Sequence, residues 1–498
     1  MMLTIILLKY TALVVLAVVL GAFLAACVFL YRLHSRYDHL PGPKRTNFFT
    51  GNASEFRSAV ENQTPFIHRM LELQQEFGPV NVIFFFHQAF LSVADPATVK
   101  ALLMDDVHTK PDTYKMLYEV YGVRFMGKGL VTEQDHSKWY NHRKIFNPAF
   151  HRKHLMGLMS YFSISSDKLV IKLKDDVDTG KAVSLMDGFS RTTLDVIAKA
   201  GIGMTQELIL DESPFVEAVI TSLKGMLNKY QKPYDLIFPS HWKFRREVQR
   251  AVQCLRDTGK ELISRSRKAL LMGEDLPNNI LGNVMKYSNP SEDQFDMETM
   301  VDEFLTFFVA GQESTSNLLA FTMVQLGRHP EILKRVRDEI DAVVGDKDFI
   351  EYEDVMKMEY TLLVLKETLR LYPPVTGTVR RLAYDMIVCG HNVPAGSNVQ
   401  MSHYIMARME QFFKNPLTFD PERFLRDEDK PLYTYFPFSL GTRSCIGQQF
   451  ALIEARVILA KLYQNYDFKL DPTQSFEILD QLTLKPKGQC MNYIYSRQ

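Results

Sequence analysis

Hydrophobic residues are unevenly distributed along the chain, and the longest uncharged stretch lies near the N-terminus. Residues 10–31 are 22 consecutive residues without a charged side chain. As a helix this stretch is about 33 Å long, enough to cross a hydrocarbon core of roughly 30 Å. Basic residues follow it closely: Arg32, Arg36, Lys44 and Arg45. Only Lys9 precedes it, and this imbalance predicts a lumenal N-terminus and a cytosolic body.

The apolar stretch also has the properties of an uncleaved anchor. A cleavable signal peptide has a shorter apolar core and a small-residue cleavage site, and neither feature is present here. We therefore assign residues 1–31 to a single-pass membrane anchor. Residues 32–45 combine the basic cluster with Leu40-Pro41-Gly42-Pro43, which predicts a stiff hinge because proline fixes φ.

Beyond the hinge, the pattern of polar and apolar positions predicts a mainly helical body. Helical periodicity is clearest over residues 330–344 and 359–371. Strand-like runs occur near residues 80–93 and 386–401, with turns expected at Asp95-Pro96 and Pro394-Ala395-Gly396. No internal repeat or long linker divides the chain. Residues 46–498 are predicted to form one catalytic domain, mainly α with a minor β portion.

Charge and cysteine content exclude several classes of function. The chain has 498 residues with 58 Lys+Arg and 58 Asp+Glu, so it has no global attraction for nucleic acid. Hydrophobic residues make up 46% of the chain, which is too apolar for a disordered protein. Its five cysteines are scattered and never in CxxC spacing. This pattern argues against a disulfide framework and a structural zinc site, and it favours a reducing compartment.

One cysteine lies in a pattern that is typical of a metal ligand. Phe438, Gly441, Arg443, Cys445 and Gly447 form F-x-x-G-x-R-x-C-x-G. An iron-bound thiolate needs nearby N–H donors, and glycines allow the backbone to approach the sulfur. The arginine can pair with a cofactor carboxylate, and the phenylalanine can exclude water. The alternative is a buried structural cysteine in a turn.

This segment resembles the haem-binding signature of the cytochrome P-450 monooxygenases, and further family features follow in the same order along nearly the whole chain. The resemblance implies a single cytochrome P-450 fold and a haem b whose axial thiolate is Cys445. Such a ligand pushes electron density onto the iron and favours cleavage of the O–O bond.

Two further groups of residues match the family. The resemblance implies that Glu367, Arg370 and Arg423 form a structural network that holds the cysteine loop. Glu367 and Arg370 are three positions apart, which places them on one helical face. The resemblance also implies that the haem propionates are bound by Trp139, Arg143, Arg380 and Arg443. Arg380 is chosen by its spacing from Pro373-Pro374, and its neighbour Arg381 is the alternative.

The third match is a helix over residues 304–320, whose apolar sequence is interrupted by Ala310-Gly311 and a polar cluster. A buried helix carries such a cluster only where something polar lies against it. The resemblance implies that Gly311 widens a groove for dioxygen. It assigns proton delivery to Glu313 and Ser314, with Thr315 behind them. Ser314 stands where threonine is usual, which keeps the hydroxyl but frees its rotamer.

The chain has no nucleotide-binding fingerprint, so its electrons must come from another protein. The resemblance and the anchor imply NADPH-cytochrome P-450 reductase as the partner, in the endoplasmic reticulum membrane. A local basic cluster is suited to an acidic partner, although such a cluster is more often only a solvated face. It comprises Lys138, Arg143, Lys144, Arg152 and Lys153.

Within the family, the hinge and haem segments are most similar to those of a cholesterol-hydroxylating member. The expected pocket residues are mostly aromatic and uncharged: Tyr114, Phe125, Phe215, Phe307, Phe308 and Val375. Such walls favour a neutral sterol, although they would equally suit core packing. Three alternatives remain: a fatty-acid hydroxylase, a haem-thiolate isomerase or dehydratase of lipid hydroperoxides, and a membrane-anchored lipid-binding protein. The Ala310 position disfavours members that link haem covalently through glutamate.

Overall fold

The computed structural model of the chain describes residues 2–54, 56–57, 64–231, 239–287, 296–426 and 432–497. Helices dominate these residues, and short strands form small sheets. The helices are α1 (Met2–Tyr37), α2 (Phe66–Phe77), α3 (Pro96–Met104), α4 (His136–Phe146), α5 (Arg152–Gly157), α6 (Met159–Leu173), α7 (Leu185–Val196), α8 (Pro214–Gln231), α9 (Trp242–Leu271), α10 (Ile280–Tyr287), α11 (Met297–Arg328), α12 (Pro330–Val343), α13 (Tyr352–Lys357), α14 (Glu359–Leu371), α15 (His403–Met406) and α16 (Gln448–Asn465).

Several strands form local hairpins, whereas others pair over long separations in the chain. They are β1 (Val80–Phe85), β2 (Gln88–Val93), β3 (Glu119–Val120), β4 (Val123–Arg124), β5 (Val183–Ser184), β6 (Gly377–Arg381), β7 (Met386–Val388), β8 (His391–Val393), β9 (Asn398–Ser402), β10 (Tyr466–Leu470), β11 (Ile478–Asp480), β12 (Leu484–Pro486) and β13 (Met491–Ser496). For example, β2 pairs with β9 and β5 pairs with β13 over long separations. The largest sheet has the order β1-β2-β9-β6, in which only β2 and β9 are parallel. The predicted fold class, mainly α with a minor β portion, is confirmed.

The predicted elements agree with the structure except at two boundaries. Helix α1 continues to Tyr37, six residues into the predicted hinge. The Tyr37 hydroxyl is held by Ser397 Oγ at 2.9 Å, so the last turn of the helix is docked on the body. The turn expected at Asp95-Pro96 instead begins α3, because the Asp95 side chain caps the Thr98 N–H and proline occupies the first turn.

Helix α11 occupies the centre of the body and positions the site. It packs against α7, α9, α14 and α16, and most of its side chains are buried. Helix α16 begins directly after the cysteine segment, with Gly447 at its N-cap. Aromatic contacts connect the two helices, since the Phe150 ring lies 5.6 Å from Phe307 of α11 and 6.3 Å from Phe450 of α16. The cysteine segment is thereby fixed to the central helix.

Candidate active site

The cysteine lies in a tight turn that leads into α16. The Cys445 N–H donates to the Phe438 carbonyl at 2.8 Å, and the Ser444 N–H donates to the Gly441 carbonyl at 3.1 Å. Gly441 has a φ of +70°, and a Cβ there would lie 1.9 Å from the Leu103 carbonyl oxygen. Glycine is therefore required by contact with α3, and not by approach to the sulfur as the sequence pattern suggested.

The Cys445 side chain is exposed at this turn, and the Arg143 side chain lies near it. Desolvation raises the pKa of the thiol, and the Gly447 N–H and the Arg143 charge act in the opposite direction. A Cβ at Gly447 would lie 3.9 Å from the sulfur, an ordinary contact, so its N–H matters more than its lack of a side chain. A metal that stabilises the thiolate would reverse the desolvation effect.

Four cationic side chains lie together beside the cysteine turn. Each donates a hydrogen bond to neutral protein oxygen: Arg143 to Ser444 O at 2.7 Å, Arg443 to Glu133 O at 2.8 Å, Arg380 to Thr378 Oγ1 at 2.9 Å, and Lys110 to Val131 O at 2.6 Å. Among the residues that the structure describes, no carboxylate lies within 4 Å of any of these four groups.

These cations raise one another's electrostatic free energy. Burial lowers the pKa of Arg443 to about 10, and the nearby Arg380 adds to the shift. The pKa of Lys110 is lowered well below its ordinary value by burial and by the charges of Arg380, Arg443 and Arg143. Asp106 and Glu133 offset these charges in part, but neither forms an ion pair with the cluster. A cluster of cations without a direct carboxylate partner fits a group with two carboxylates, such as the propionates of haem b.

The structure brings the predicted propionate partners together and adds one. The Arg443 guanidinium lies over the Trp139 ring, 4.2 Å from its centroid. Arg380 is buried in the cluster, whereas Arg381 is exposed and lies 3.6 Å from Asp112. Lys110 was missed because a lysine before a proline in a loop carries no local signal for this role.

The predicted network of Glu367, Arg370 and Arg423 is a buried ion cluster. The Arg370 Nε donates to Glu367 Oε2 at 2.8 Å, and the Arg423 Nε donates to Glu367 Oε1 at 3.0 Å. Both arginines also donate to the Thr418 carbonyl. The cluster therefore ties α14 to residues 414–423, which precede the cysteine turn.

Helix α11 is continuous through the predicted interruption, with one face uncovered in its middle. Phe307, Ala310, Gly311 and Ser314 are less buried than their neighbours and repeat at helical spacing. The Ser314 hydroxyl lies on this face and donates to the Ala310 carbonyl at 2.7 Å. A Cβ at Gly311 would lie 3.3 Å from Ile197, so this glycine also permits close packing against the segment after α7.

The other predicted proton-transfer residues point elsewhere. Glu313 is buried and pairs with Lys485 of β12, with 2.5 Å between Oε1 and Nζ. Thr315 is also buried and lies beside Glu454 of α16. Because successive helical residues are about 100° apart, these three side chains face different surroundings. Of the three, only Ser314 lies on the uncovered face.

A buried acidic side chain fixes the loop before α4 onto α11. Asp302 is fully buried and accepts hydrogen bonds from Arg124 Nε at 3.0 Å and Arg256 Nη1 at 2.9 Å. Arg256 also donates to the Phe125 carbonyl at 3.1 Å. A Cβ at Gly127 would lie 2.1 Å from the Asp302 carboxylate, so the loop needs glycine there. Sequence reasoning missed this cluster because its members are far apart along the chain.

On another side of α11, the loop before α4 and helices α8, α9 and α11 enclose a small apolar cavity. Its lining comprises Phe125, Val219, Leu223, Leu255, Leu305, Phe308 and Val309. Two of the predicted pocket residues, Phe125 and Phe308, are among them. Phe215 contacts Phe308 at 5.3 Å between ring centroids, and Val375 is 53% exposed. The cavity contains no charged side chain, which favours neutral apolar ligands.

Comparison with known proteins identifies the class to which this site belongs. The cytochrome P-450 family model matches residues 41–491. Cytochrome P-450 4d2 of Drosophila melanogaster is 28% identical over 455 residues, covering 86% of this chain and 88% of the relative. The 11-oxo-beta-amyrin 30-oxidase of Glycyrrhiza uralensis is 33% identical over 388 residues, covering 73% and 71%. Human cytochrome P-450 4B1 is 28% identical over 472 residues, covering 91% and 89%. The chain therefore belongs to the cytochrome P-450 family of monooxygenases, which hold haem through a cysteine thiolate.

Proposed function

We propose that the protein is a membrane-anchored monooxygenase that hydroxylates a sterol, with Cys445 as the iron ligand. The observation that carries the proposal is that an exposed cysteine lies beside four cations, of which Arg380 is buried and the other three are half-buried, and that none of them forms an ion pair with a carboxylate of the described residues. Bound at this site, the haem supplies the activation of dioxygen for insertion into a C–H bond. The protein's residues hold this group, exclude water and deliver protons.

Each residue of the proposed haem site has a separate task. Cys445 binds iron through its thiolate, and the Gly447 N–H and Arg143 offset the negative charge on the sulfur. Lys110, Arg380 and Arg443 neutralise the propionates. Phe438 packs against the core from the cysteine turn, which limits the access of water.

Ser314 is the residue proposed to pass protons into the site. Its hydroxyl lies on the uncovered face and donates to Ala310 O, so rotation about χ1 can turn the donor toward the reacting atoms. Glu313 lies on another face, where its Oε1 is 2.5 Å from Lys485 Nζ. Lys485 is partly exposed, so this pair connects Glu313 with solvent, whereas Ser314 alone lies on the uncovered face as the proposed donor.

The sterol assignment rests on resemblance, and the uncharged side chains beside α11 are compatible with it. Residues 35–43, 370–374 and 434–451 resemble the corresponding segments of cholesterol 24-hydroxylase. The described cavity has aliphatic and aromatic walls and no cation to pair with a fatty-acid carboxylate. We infer that a large neutral lipid is preferred over a fatty acid.

The anchor and the basic surface support the proposed partner and location. Helix α1 is almost wholly exposed and long enough to span a membrane. Lys138, Lys144, Arg152 and Lys153 are exposed around α4 and α5, whereas Arg143 is turned toward the cation cluster. We propose that NADPH-cytochrome P-450 reductase docks on these four residues while both proteins lie in the endoplasmic reticulum membrane.

Replacement of the ligand tests the haem assignment directly. Cys445→Ala is expected to abolish the characteristic absorbance band of the reduced carbon monoxide complex, because that band requires a thiolate ligand. Cys254→Ala is the matched control, since Cys254 is exposed on α9. Survival of the band in Cys445→Ala would refute the assignment.

Product analysis tests the reaction and substrate. The full-length protein, reductase and NADPH are incubated with a sterol panel and with fatty acids, and a hydroxylated sterol is the expected product. Hydroxylated fatty acids alone would favour the fatty-acid alternative. Turnover of lipid hydroperoxides without reductase would favour an isomerase or dehydratase, and haem-free protein that binds sterol would favour a lipid-binding protein.

A further inference from the structure

A polar cleft lies where the anchor meets the body. It has a volume of about 340 Å³ and is lined by Val82 and Phe84 of β1 and by seven residues at the end of the anchor: Tyr37, Asp38, Leu40, Gly42, Pro43, Lys44 and Arg45. The segment is fixed to the strand, because the Val82 N–H donates to the Pro41 carbonyl at 2.8 Å and a Cβ at Gly42 would lie 2.3 Å from the Val82 carbonyl oxygen. The cleft is therefore a defined part of the fold.

Several contacts hold the end of the anchor against this part of the body. Arg36 donates to the Ala395 carbonyl at 2.5 Å, and the His39 ring contacts the Asn392 carbonyl at 2.7 Å. The tip of the next loop touches the anchor itself, where the Phe49 and Phe23 rings are 5.7 Å apart. Because Phe23 belongs to the apolar stretch, Phe49 lies at the depth of the hydrocarbon in an inserted anchor.

These contacts place the cleft at the depth of lipid headgroups. Tyr31 is the last residue of the uncharged stretch. Tyr37 lies six helical residues, or about 9 Å, beyond it. The polar layer of one leaflet is roughly 5–8 Å thick, from the difference between the total bilayer and its hydrocarbon core. The cleft opens at the outer edge of that layer, and this conclusion rests on the proposed insertion of α1.

The charges in the cleft favour an anionic ligand. Arg45 pairs with Asp38 at 2.5 Å and lies over the Phe84 ring, so its charge is largely compensated. Lys44 is exposed, and among the described residues no carboxylate lies within 4 Å of its ammonium group. The Lys44 backbone is held by Asn52, whose side chain donates to its carbonyl at 3.0 Å. An exposed cation on a fixed backbone, without a carboxylate partner among the described residues, attracts anionic lipid at headgroup depth.

We propose that this cleft binds the headgroup of an anionic phospholipid, with Lys44 as the principal contact to the phosphate. The bound lipid would fix the orientation of the body relative to the membrane. One juxtamembrane lysine contributes roughly 1 kcal/mol toward anionic lipid, which corresponds to about a fivefold preference.

The test uses full-length holoprotein in mixed micelles of phosphatidylserine and phosphatidylcholine. The two lipids retained after purification are counted by mass spectrometry. The wild type is expected to retain phosphatidylserine at a ratio above that of the micelle. In Lys44→Gln this enrichment should be about fivefold lower, and in Lys44→Arg it should be unchanged. Lys469→Gln is the control, because Lys469 is exposed on β10, outside the cleft.

Other outcomes would overturn the proposal. Equal retention of both lipids by the wild type would do so, as would unchanged enrichment in Lys44→Gln. Displacement of phosphatidylserine by millimolar inorganic phosphate would assign the cleft to free phosphate and reject the lipid. If alkaline buffer extracts the wild type from membranes, α1 does not span the bilayer. This measurement therefore distinguishes failure of the proposed anchor from failure of the proposed lipid site.

Discussion

Replacing Glu367 should destabilise the fold strongly, because it would leave two buried cations without their shared counter-ion. Glu367 and Arg370 are fully buried and Arg423 is 2% exposed. Removing one partner of a buried ion pair typically costs about 3–5 kcal/mol. Glu367→Gln keeps an acceptor oxygen, so we expect the lower end, about 3 kcal/mol, or roughly a 150-fold change in the unfolding equilibrium.

A matched substitution separates this effect from a general loss of charge. Glu422 pairs with Arg335 at the surface, where the two side chains are 32% and 53% exposed. Because solvent screens such pairs, Glu422→Gln should cost no more than about 1 kcal/mol. Urea unfolding of the full-length protein in detergent, followed by circular dichroism, measures both variants. If the two substitutions change the free energy of unfolding equally, the buried cluster is not the stabilising unit inferred here.

Three further substitutions test other parts of the site. Lys110→Met should speed haem transfer to apomyoglobin about tenfold, through loss of a charge-assisted hydrogen bond, and an unchanged rate would remove Lys110 from the site. Asp302→Asn should raise hydrogen exchange of residues 118–130 by roughly two orders of magnitude, and unchanged exchange would contradict the loop attachment. Burial raises the pKa of Glu454 well above the ordinary 4.5, so the fold loses stability as pH rises above that value. Glu454→Gln should therefore stabilise the protein at pH 8 but not at pH 4 in urea unfolding, and an equal effect at both would contradict the shift.

Features that depend on residues close together in the chain could be predicted from sequence. The N-terminal apolar helix comes from a single continuous run, and the contact between Glu367 and Arg370 depends only on helical spacing. Glu313 was harder, because apolar residues surround the polar cluster on both sides and give no helical phase. Only the position of Lys485, 172 residues later in the chain, determines which way Glu313 points.

The cation cluster illustrates why the remaining site residues need the structure. Lys110 and Arg443 are 333 positions apart, and nothing near either residue indicates that they meet. In the folded protein they repel each other, and desolvation raises the pKa of the Cys445 thiol. Each of these costs works against folding. A single ligand that offers a metal to the sulfur and two carboxylates to the cations would remove each of these unfavourable contributions. The placement of these residues is therefore explained by ligand binding and not by the stability of the chain alone.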